Sequence, residues 1–454
     1  MDQNTRQRIA RLDHEHVWHP FTPMRQWRES DPLIIEAGEG EFLIDAEGRR
    51  YIDGVSSLWC NIHGHRVAAI DQAIRDQLDR IAHSTLLGLT HEPAVELAAR
   101  LCAIAPGDLT QVFYSDAGAT ATEIAFKMAV GYWYHTGQPE RHTFIGLDGA
   151  YHGDTTGAMS IGYSDIFHRP FKPMTFETEF VAPGDLSALD AKLTELHGRG
   201  RGCAGVVIEP LVQGAAGMIM QPAGYLAGVQ QLCREHDTLL IADEVATGFG
   251  RTGRMFACEH EAVEPDVLCL GKGLTGGYLP LAATLCTSRI AKAFEGELHE
   301  MKTLYHGHTF TGNPLACAAA LASLDLFEQN DVLSEVQRKA KLMAQWLKPL
   351  NDHAGVCEVR QCGLIAGVEL ATAGAEDDAS GAGGGTELGD FGESPSKYLR
   401  RIGYEVCNLA RAYGVIIRPL GNVVILMPPL SIRDESLKQL IDVTARCIDQ
   451  VTAS

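Results

Sequence analysis

A lysine framed by glycines at the end of an apolar run is the first candidate for chemistry. Lys272 stands in Leu268-Cys-Leu-Gly-Lys-Gly-Leu-Thr-Gly-Gly277, with no obvious packing role for its side chain. Burial lowers an amine's pKa and so supplies the neutral nucleophile that Schiff-base chemistry requires. Asp243 closes a second apolar run, Leu239-Leu-Ile-Ala-Asp-Glu244, which places it at the carboxyl end of a strand, where open α/β sheets bind ligands. A carboxylate there can pair with a protonated pyridinium nitrogen and keep the ring an electron sink. The third feature is Ser115-Asp-Ala-Gly-Ala-Thr120, after the strand-like run Val112–Tyr114 and before the helical run Ala121–Met128. Small residues at a helix start let the amides of Gly118, Ala119 and Thr120 approach a phosphate, and the helix dipole adds to the attraction. Singly, these are a loop lysine, a capping acid and a turn. Occurring in this order, they match the needs of pyridoxal 5′-phosphate (PLP): an anion cradle, a ring partner and an amine.

The elements that must position them are legible in outline. Short runs that are apolar on both faces, namely Val112–Tyr114, Thr143–Ile145, Gly205–Ile208, Leu239–Ala242 and Val267–Leu270, alternate with helical periodicity. That alternation predicts parallel strands covered by helices, a doubly wound α/β large domain over residues 65–335. Residues 1–64 carry strand-like runs at Leu33–Glu36 and Glu41–Asp45, and residues 336–454 carry helical stretches with runs at Ala366–Leu370 and Val423–Met427. These two segments are expected to form one smaller α+β domain together. Within the second, residues 371–395 are rich in Gly, Ala and acids and almost free of large apolar groups. Such a stretch cannot bury enough surface to offset chain entropy, so a mobile surface insertion is expected.

Composition narrows the partners. With 58 acidic against 38 basic residues the formal charge is −20, which repels nucleic acid and anionic membrane surfaces. The twelve cysteines are scattered from Cys60 to Cys447 without a C-x-x-C pair, and Cys203, Cys269 and Cys286 sit in apolar runs. Reduced, buried thiols in a cytoplasmic protein are the expectation. The first residues lack an apolar run of signal-peptide length, and no stretch reaches the ~20 apolar residues that span a bilayer. His14, His16 and His19 cluster, and His63 and His65 flank a glycine. No cysteine or carboxylate completes a ligand set at structural-zinc spacing, so no metal is expected.

The stretch IADEVATGFGRTGRMFACEHEAVEPDVLCLGKGLTGG resembles the signature of class III PLP-dependent aminotransferases. The likeness extends to WHPFTPM, DGVSSLWCNIHGH, GAYHGDTTGAMS, IEPLVQGAAGM, HGHTFTGNPLACAAA and IIRPLGNVVILMPPL, and covers most of the chain outside 371–395. It implies the fold-type I architecture of PLP-dependent transferases, a small-molecule amino donor and keto acceptor, and a homodimer with shared active sites. By resemblance, Lys272 is the Schiff-base lysine and Asp243 the ring-nitrogen partner, while Gly118 and Ala119 hold the phosphate and Tyr151 lies against the ring. Thr309, with His308 beside it, adds a phosphate contact from the neighbouring subunit. Phe21, Leu58, Trp59, Tyr151, Lys272, Gly307 and Arg418 line the substrate site, with Arg418 on the substrate carboxylate. A planar guanidinium suits bidentate carboxylate recognition and an aromatic ring stacks on a flat cofactor. Three positions depart from the usual pattern. Ala119 stands where many members have serine, Phe21 where a tyrosine is frequent, and Leu58 where a tryptophan is usual, leaving Trp59 alone. The alternatives within the class are an ω-aminotransferase using pyruvate or 2-oxoglutarate, or a PLP-dependent decarboxylase. A non-catalytic PLP-binding protein is disfavoured by the presence of both Lys272 and Asp243.

Overall fold

The computed structural model describes residues 1–371 and 401–453. The long apolar runs become one seven-stranded sheet. Its spatial order is Leu109–Ser115, Ala282–Thr287, Val267–Leu270, Leu239–Asp243, Cys203–Ile208, Thr143–Leu147 and Thr178–Val181. Ala282–Thr287 runs antiparallel to both of its neighbours, and all other pairings are parallel. Six strands therefore share a direction, and their carboxyl ends lie along one edge.

Every residue of the three strands Cys203–Ile208, Leu239–Asp243 and Val267–Leu270 is buried. Side chains alternate along a strand, so each strand feeds two cores. Leu239 and Ile241 pack with Phe126 and Trp133 of helix Gly118–His135. Leu240 and Ala242 pack instead with Leu97, Leu193 and Val229, from helices Glu92–Ile104, Leu186–Gly198 and Tyr225–Glu235. This is a two-sided α/β sheet of the fold-type I kind.

Two of its strands carry no clear signal in the sequence. Ala282–Thr287 reads AATLCT, small and hydroxylated, and Thr178–Val181 is a half-buried edge. Other runs shift or lengthen by a few residues. The expected Leu33–Glu36 lies at Ile35–Glu39, and Val112–Tyr114 grows to Leu109–Ser115.

Beside the large sheet are a two-stranded one, Val212–Gln213 with Ile219–Met220, and two four-stranded ones. Arg50–Asp53 pairs antiparallel with Phe42–Asp45 and parallel with Val415–Ile416, so residues distant in sequence share one sheet. The other consists of Val356–Cys362, Ile365–Leu370, Val423–Leu426 and Arg418–Leu420, antiparallel throughout. Apart from Ala371, the segment 371–395 lies outside the described residues. All twelve cysteines are free. Among the described residues no helix is long and apolar enough to cross a membrane, and no His, Cys, Asp and Glu group is placed to hold a metal ion. Three of the five histidines singled out by sequence bond elsewhere: His19 to Asp13, His63 to Ser323 and His65 to Asp53.

Candidate active site

A cavity of about 370 Å³ opens where the strand ends converge. Lys272 reaches it two residues beyond the strand Val267–Leu270, at the start of the 3₁₀ turn Lys272–Thr275. Its φ of +40° is uncommon for a side chain of this size. The flanking glycines leave room for close neighbours: a Cβ on Gly273 would stand 3.0 Å from the Ile62 side chain, and Gly271 lies against the Gly118 backbone. The Lys272 Nζ sits 4.7 Å from the centre of the Trp59 ring. Burial pushes the amine below its ordinary pKa, opposed by the charges of Asp243 and Glu209.

Asp243 ends the adjacent strand. Its Oδ2 lies 2.7 Å from His152 Nδ1, and its Oδ1 accepts from the Val245 amide at 3.0 Å. Burial lowers the His152 pKa, but the hydrogen bond and charge of Asp243, with Glu209 adding, carry it above 6.5. Glu209 follows the strand Cys203–Ile208 directly. Its two oxygens accept from the Tyr151 and Gly214 amides at 3.0 and 2.9 Å. Burial pushes its carboxyl up to about 7, although His152 and these amides pull it down. The Tyr151 hydroxyl donates to Asp154 Oδ2 at 2.8 Å. Asp154, held low by His168 and Tyr151, leaves a half-exposed anion in the cavity wall.

The small-residue turn opens the 18-residue helix Gly118–His135 with no side chain capping its first amides. Thr120 Oγ1 accepts from the Ala117 amide at 3.0 Å, so its hydroxyl serves the turn, while Gly118 and Ala119 line the cavity. A Cβ on Gly118 would lie 2.6 Å from Val245 Cγ1, so only glycine fits. The hydroxyl of Ser115, which precedes this turn, is buried without a protein partner. Uncapped amides at a helix start, an acid at depth, a desolvated amine and aromatic walls from Tyr151 and Trp59 fit a flat, phosphate-bearing, pyridine-type cofactor.

The structure thus brings together Lys272, Asp243, Gly118, Ala119, Tyr151 and Trp59. Phe21, Leu58, Gly307, His308, Thr309 and Arg418 are not among the residues lining the cavity of this chain. Phe21 is exposed, edge-on to Phe167. Leu58 is half exposed beside Trp59, and Gly307 and Thr309 are exposed on either side of half-buried His308. Arg418 begins the edge strand Arg418–Leu420, opposite Ile425. Ile425 in turn packs in one cluster with Trp59. Three lining residues, His152, Glu209 and Asp154, escape a reading of the sequence residue by residue. Glu209 does carry the same signal as Asp243, an acid closing an apolar run.

Fold and site together define a PLP-type aminotransferase architecture. The family model described as aminotransferase class-III matches residues 24–448, and the chain belongs to that family. It is 50% identical to the adenosylmethionine-8-amino-7-oxononanoate aminotransferase of Geobacter sulfurreducens, over 98% of each chain. The crystal structure of the enzyme of that name from Methanocaldococcus jannaschii superposes with a TM-score of 0.91 at 44% identity, over 99% of each chain. An omega transaminase from Pseudomonas jessenii, in complex with PMP, gives a TM-score of 0.87 at 29% identity over 98% of each.

A histidine whose folded pKa is raised stabilises the fold fully below its unfolded value and loses that contribution as pH rises through the folded one. In cofactor-free protein, the stability gap between the parent and His152→Gln should therefore be widest below the ordinary histidine pKa of ~6.5 and narrow as pH rises above it. Denaturant midpoints across that range measure it, and a gap that widens with pH contradicts the pairing described.

Proposed function

We propose that this chain is a cytoplasmic PLP-dependent aminotransferase of biotin biosynthesis that converts 8-amino-7-oxononanoate to 7,8-diaminononanoate, with S-adenosylmethionine as amino donor. The observation that carries the chemistry is the convergence of Lys272, Asp243 and the helix-start amides of Gly118 and Ala119 on one cavity. The substrate reading rests on end-to-end similarity to several proteins bearing the same enzyme name.

When bound, the cofactor supplies an electron sink conjugated to the substrate's α-carbon. Lys272 is its covalent attachment point. With the cofactor bound, Lys272 would be the base that takes the α-carbon proton and the acid that returns it, and burial lowers its pKa toward that use. Asp243, oriented by His152 and the Val245 amide, keeps the ring nitrogen protonated. Glu209 holds the Tyr151 backbone so that its ring forms one wall, and Trp59 shields the Lys272 amine. Asp154 offers a counter-charge to a substrate ammonium, and Arg418, paired across its sheet with Ile425, binds the substrate carboxylate.

In this reading residues 65–335 form the large domain, and residues 1–64 and 336–454 form the small one, joined by the pairing of Arg50–Asp53 with Val415–Ile416. The enzyme works as a homodimer in which Gly307, His308 and Thr309 serve the partner's cavity. Exposed apolar side chains support this. Leu87 is 89% exposed and Leu298 84%, with Tyr305 and Phe310 also out in solvent. The two segments adjoin, since the His83 and Phe310 rings lie 4.9 Å apart. Large apolar side chains left in solvent in this way fit an interface.

Lysine is the second donor to test, because Phe21 removes a hydroxyl and Leu58 an indole from the pocket. A large aromatic sulfonium profits from such partners, whereas an aliphatic diamine does not need them. Mixing the PLP-loaded protein with each donor separately should bleach the visible lysine–cofactor band with S-adenosylmethionine. Bleaching by lysine alone overturns the donor assignment. Arg418→Ala should raise the oxononanoate KM by roughly ten- to a hundredfold while PLP affinity holds, since one charge-assisted bond is worth ~1.5–3 kcal/mol. An unchanged KM places the carboxylate elsewhere.

A further inference from the structure

Trp59 is carried by a turn that the backbone does not adopt freely. Ser56, Ser57 and Trp59 have φ of 51°, 62° and 65°, and none of them is glycine. Ser57, with ψ of −57°, lies in the rare and strained γ-turn region. Such residues persist only where their surroundings over-determine them.

Asp53 provides that constraint. Its carboxylate is fully buried and accepts from the Ser57 amide at 2.8 Å, the Ser57 hydroxyl at 2.9 Å and His65 Nε2 at 2.9 Å. The proton assignment follows from the next link. The Gly64 amide donates to Asn61 Oδ1 at 2.7 Å, so the Asn61 Nδ2 donates to His65 Nδ1 at 3.1 Å and the His65 hydrogen lies on Nε2, facing Asp53. The base of the clamp is itself fixed. Asp53 ends the strand Arg50–Asp53, opposite Ile416, and a Cβ on Gly54 would stand 2.7 Å from Ile417 and Leu440. At the other end Ser56 Oγ donates to the Met427 carbonyl at 2.6 Å and accepts from Arg251 at 3.3 Å.

We propose that Asp53 is a positioning residue for the active site: through Ser57 it holds the strained Ser56–Trp59 turn, which keeps the Trp59 indole against Lys272 and Leu58 beside it. The inference rests on the aminotransferase reading of the cavity and extends it to a residue outside the cavity wall. An aspartate is required because three donors meet one side chain. An asparagine there turns its amide toward His65 Nε2–H, setting donor against donor, and an alanine releases all three groups.

The test compares holoenzymes of the parent, Asp53→Asn and Asp53→Ala by steady-state kinetics and by hydrogen exchange over residues 54–62. Both variants should exchange faster in that segment and show a KM for the keto acceptor raised about tenfold, with kcat within about threefold, the scale of one lost bond to a charged group. Adding Ser57→Gly to Asp53→Ala should recover most of the KM, because glycine accepts a positive φ without a clamp. A general loss of stability is not repaired in this way. If Asp53→Ala does not fold, Ser57→Ala, which removes only the hydroxyl donor, should still raise KM several-fold. Faster exchange with unchanged KM, or no recovery with glycine, overturns the proposal. A parent enzyme that transfers no amine overturns the aminotransferase reading, and the exchange rates then still decide whether Asp53 holds the turn.

Discussion

Two ionisable groups of opposite sign, the Asp243 carboxylate and the Lys272 amine, are held in one largely desolvated cavity from neighbouring parallel strands. In the pairing register Asp243 stands opposite Cys269, three residues before Lys272. An uncompensated buried charge costs several kcal/mol, so each group needs dedicated partners. Asp243 has His152 and an amide; Lys272 has the Trp59 face and the nearby charges of Asp243 and Glu209. Burial lowers the pKa of the amine, and the neighbouring acids Asp243 and Glu209 oppose it. Much else follows from preserving this geometry, including the glycines that flank Lys272 and the absence of a Cβ at Gly118, which the Val245 side chain would otherwise meet.

How much of this could be read beforehand depends on the range of the cause. Lys272, Asp243 and Gly118–Ala119 are legible because each closes an apolar run or opens a helical one, patterns that fit within ten residues. Glu209 obeys the same rule after Gly205–Ile208, so applying it evenly finds a further buried acid in the cavity. His152 has no such local mark; its meaning is a bond to a residue 91 positions away. Ala282–Thr287 is hidden for another reason. Its two alanines dilute the β signal of its two threonines and no run of large apolar residues marks it, and burial between two neighbours makes it a strand. The Ser56–Trp59 turn is the least legible element, since turn rules look for glycine or asparagine at positive φ and find serine and tryptophan instead.

The same separation of local from distant causes applies to the substrate side. Phe21 and Gly307, which resemblance places there, and His308 and Thr309, which it places at the cofactor phosphate, lie off the cavity wall of their own chain, whereas Lys272, Asp243, Gly118, Ala119 and Tyr151 line it. In the proposed homodimer, assembly therefore completes the site. Cofactor chemistry belongs to the large sheet, and substrate selection to surfaces that the dimeric reading brings together. Within that proposal, the departures at Phe21 and Leu58 bear on the donor rather than on the proton chemistry of Lys272.

The most direct test of the account is to locate the cofactor bond. Borohydride reduction of the PLP-loaded protein, followed by digestion and mass spectrometry, should place a single pyridoxyl group on Lys272. A pyridoxyl group on a different lysine, or bound cofactor that borohydride fails to fix to the chain, contradicts the role given to Lys272 and with it the mechanism built on that residue.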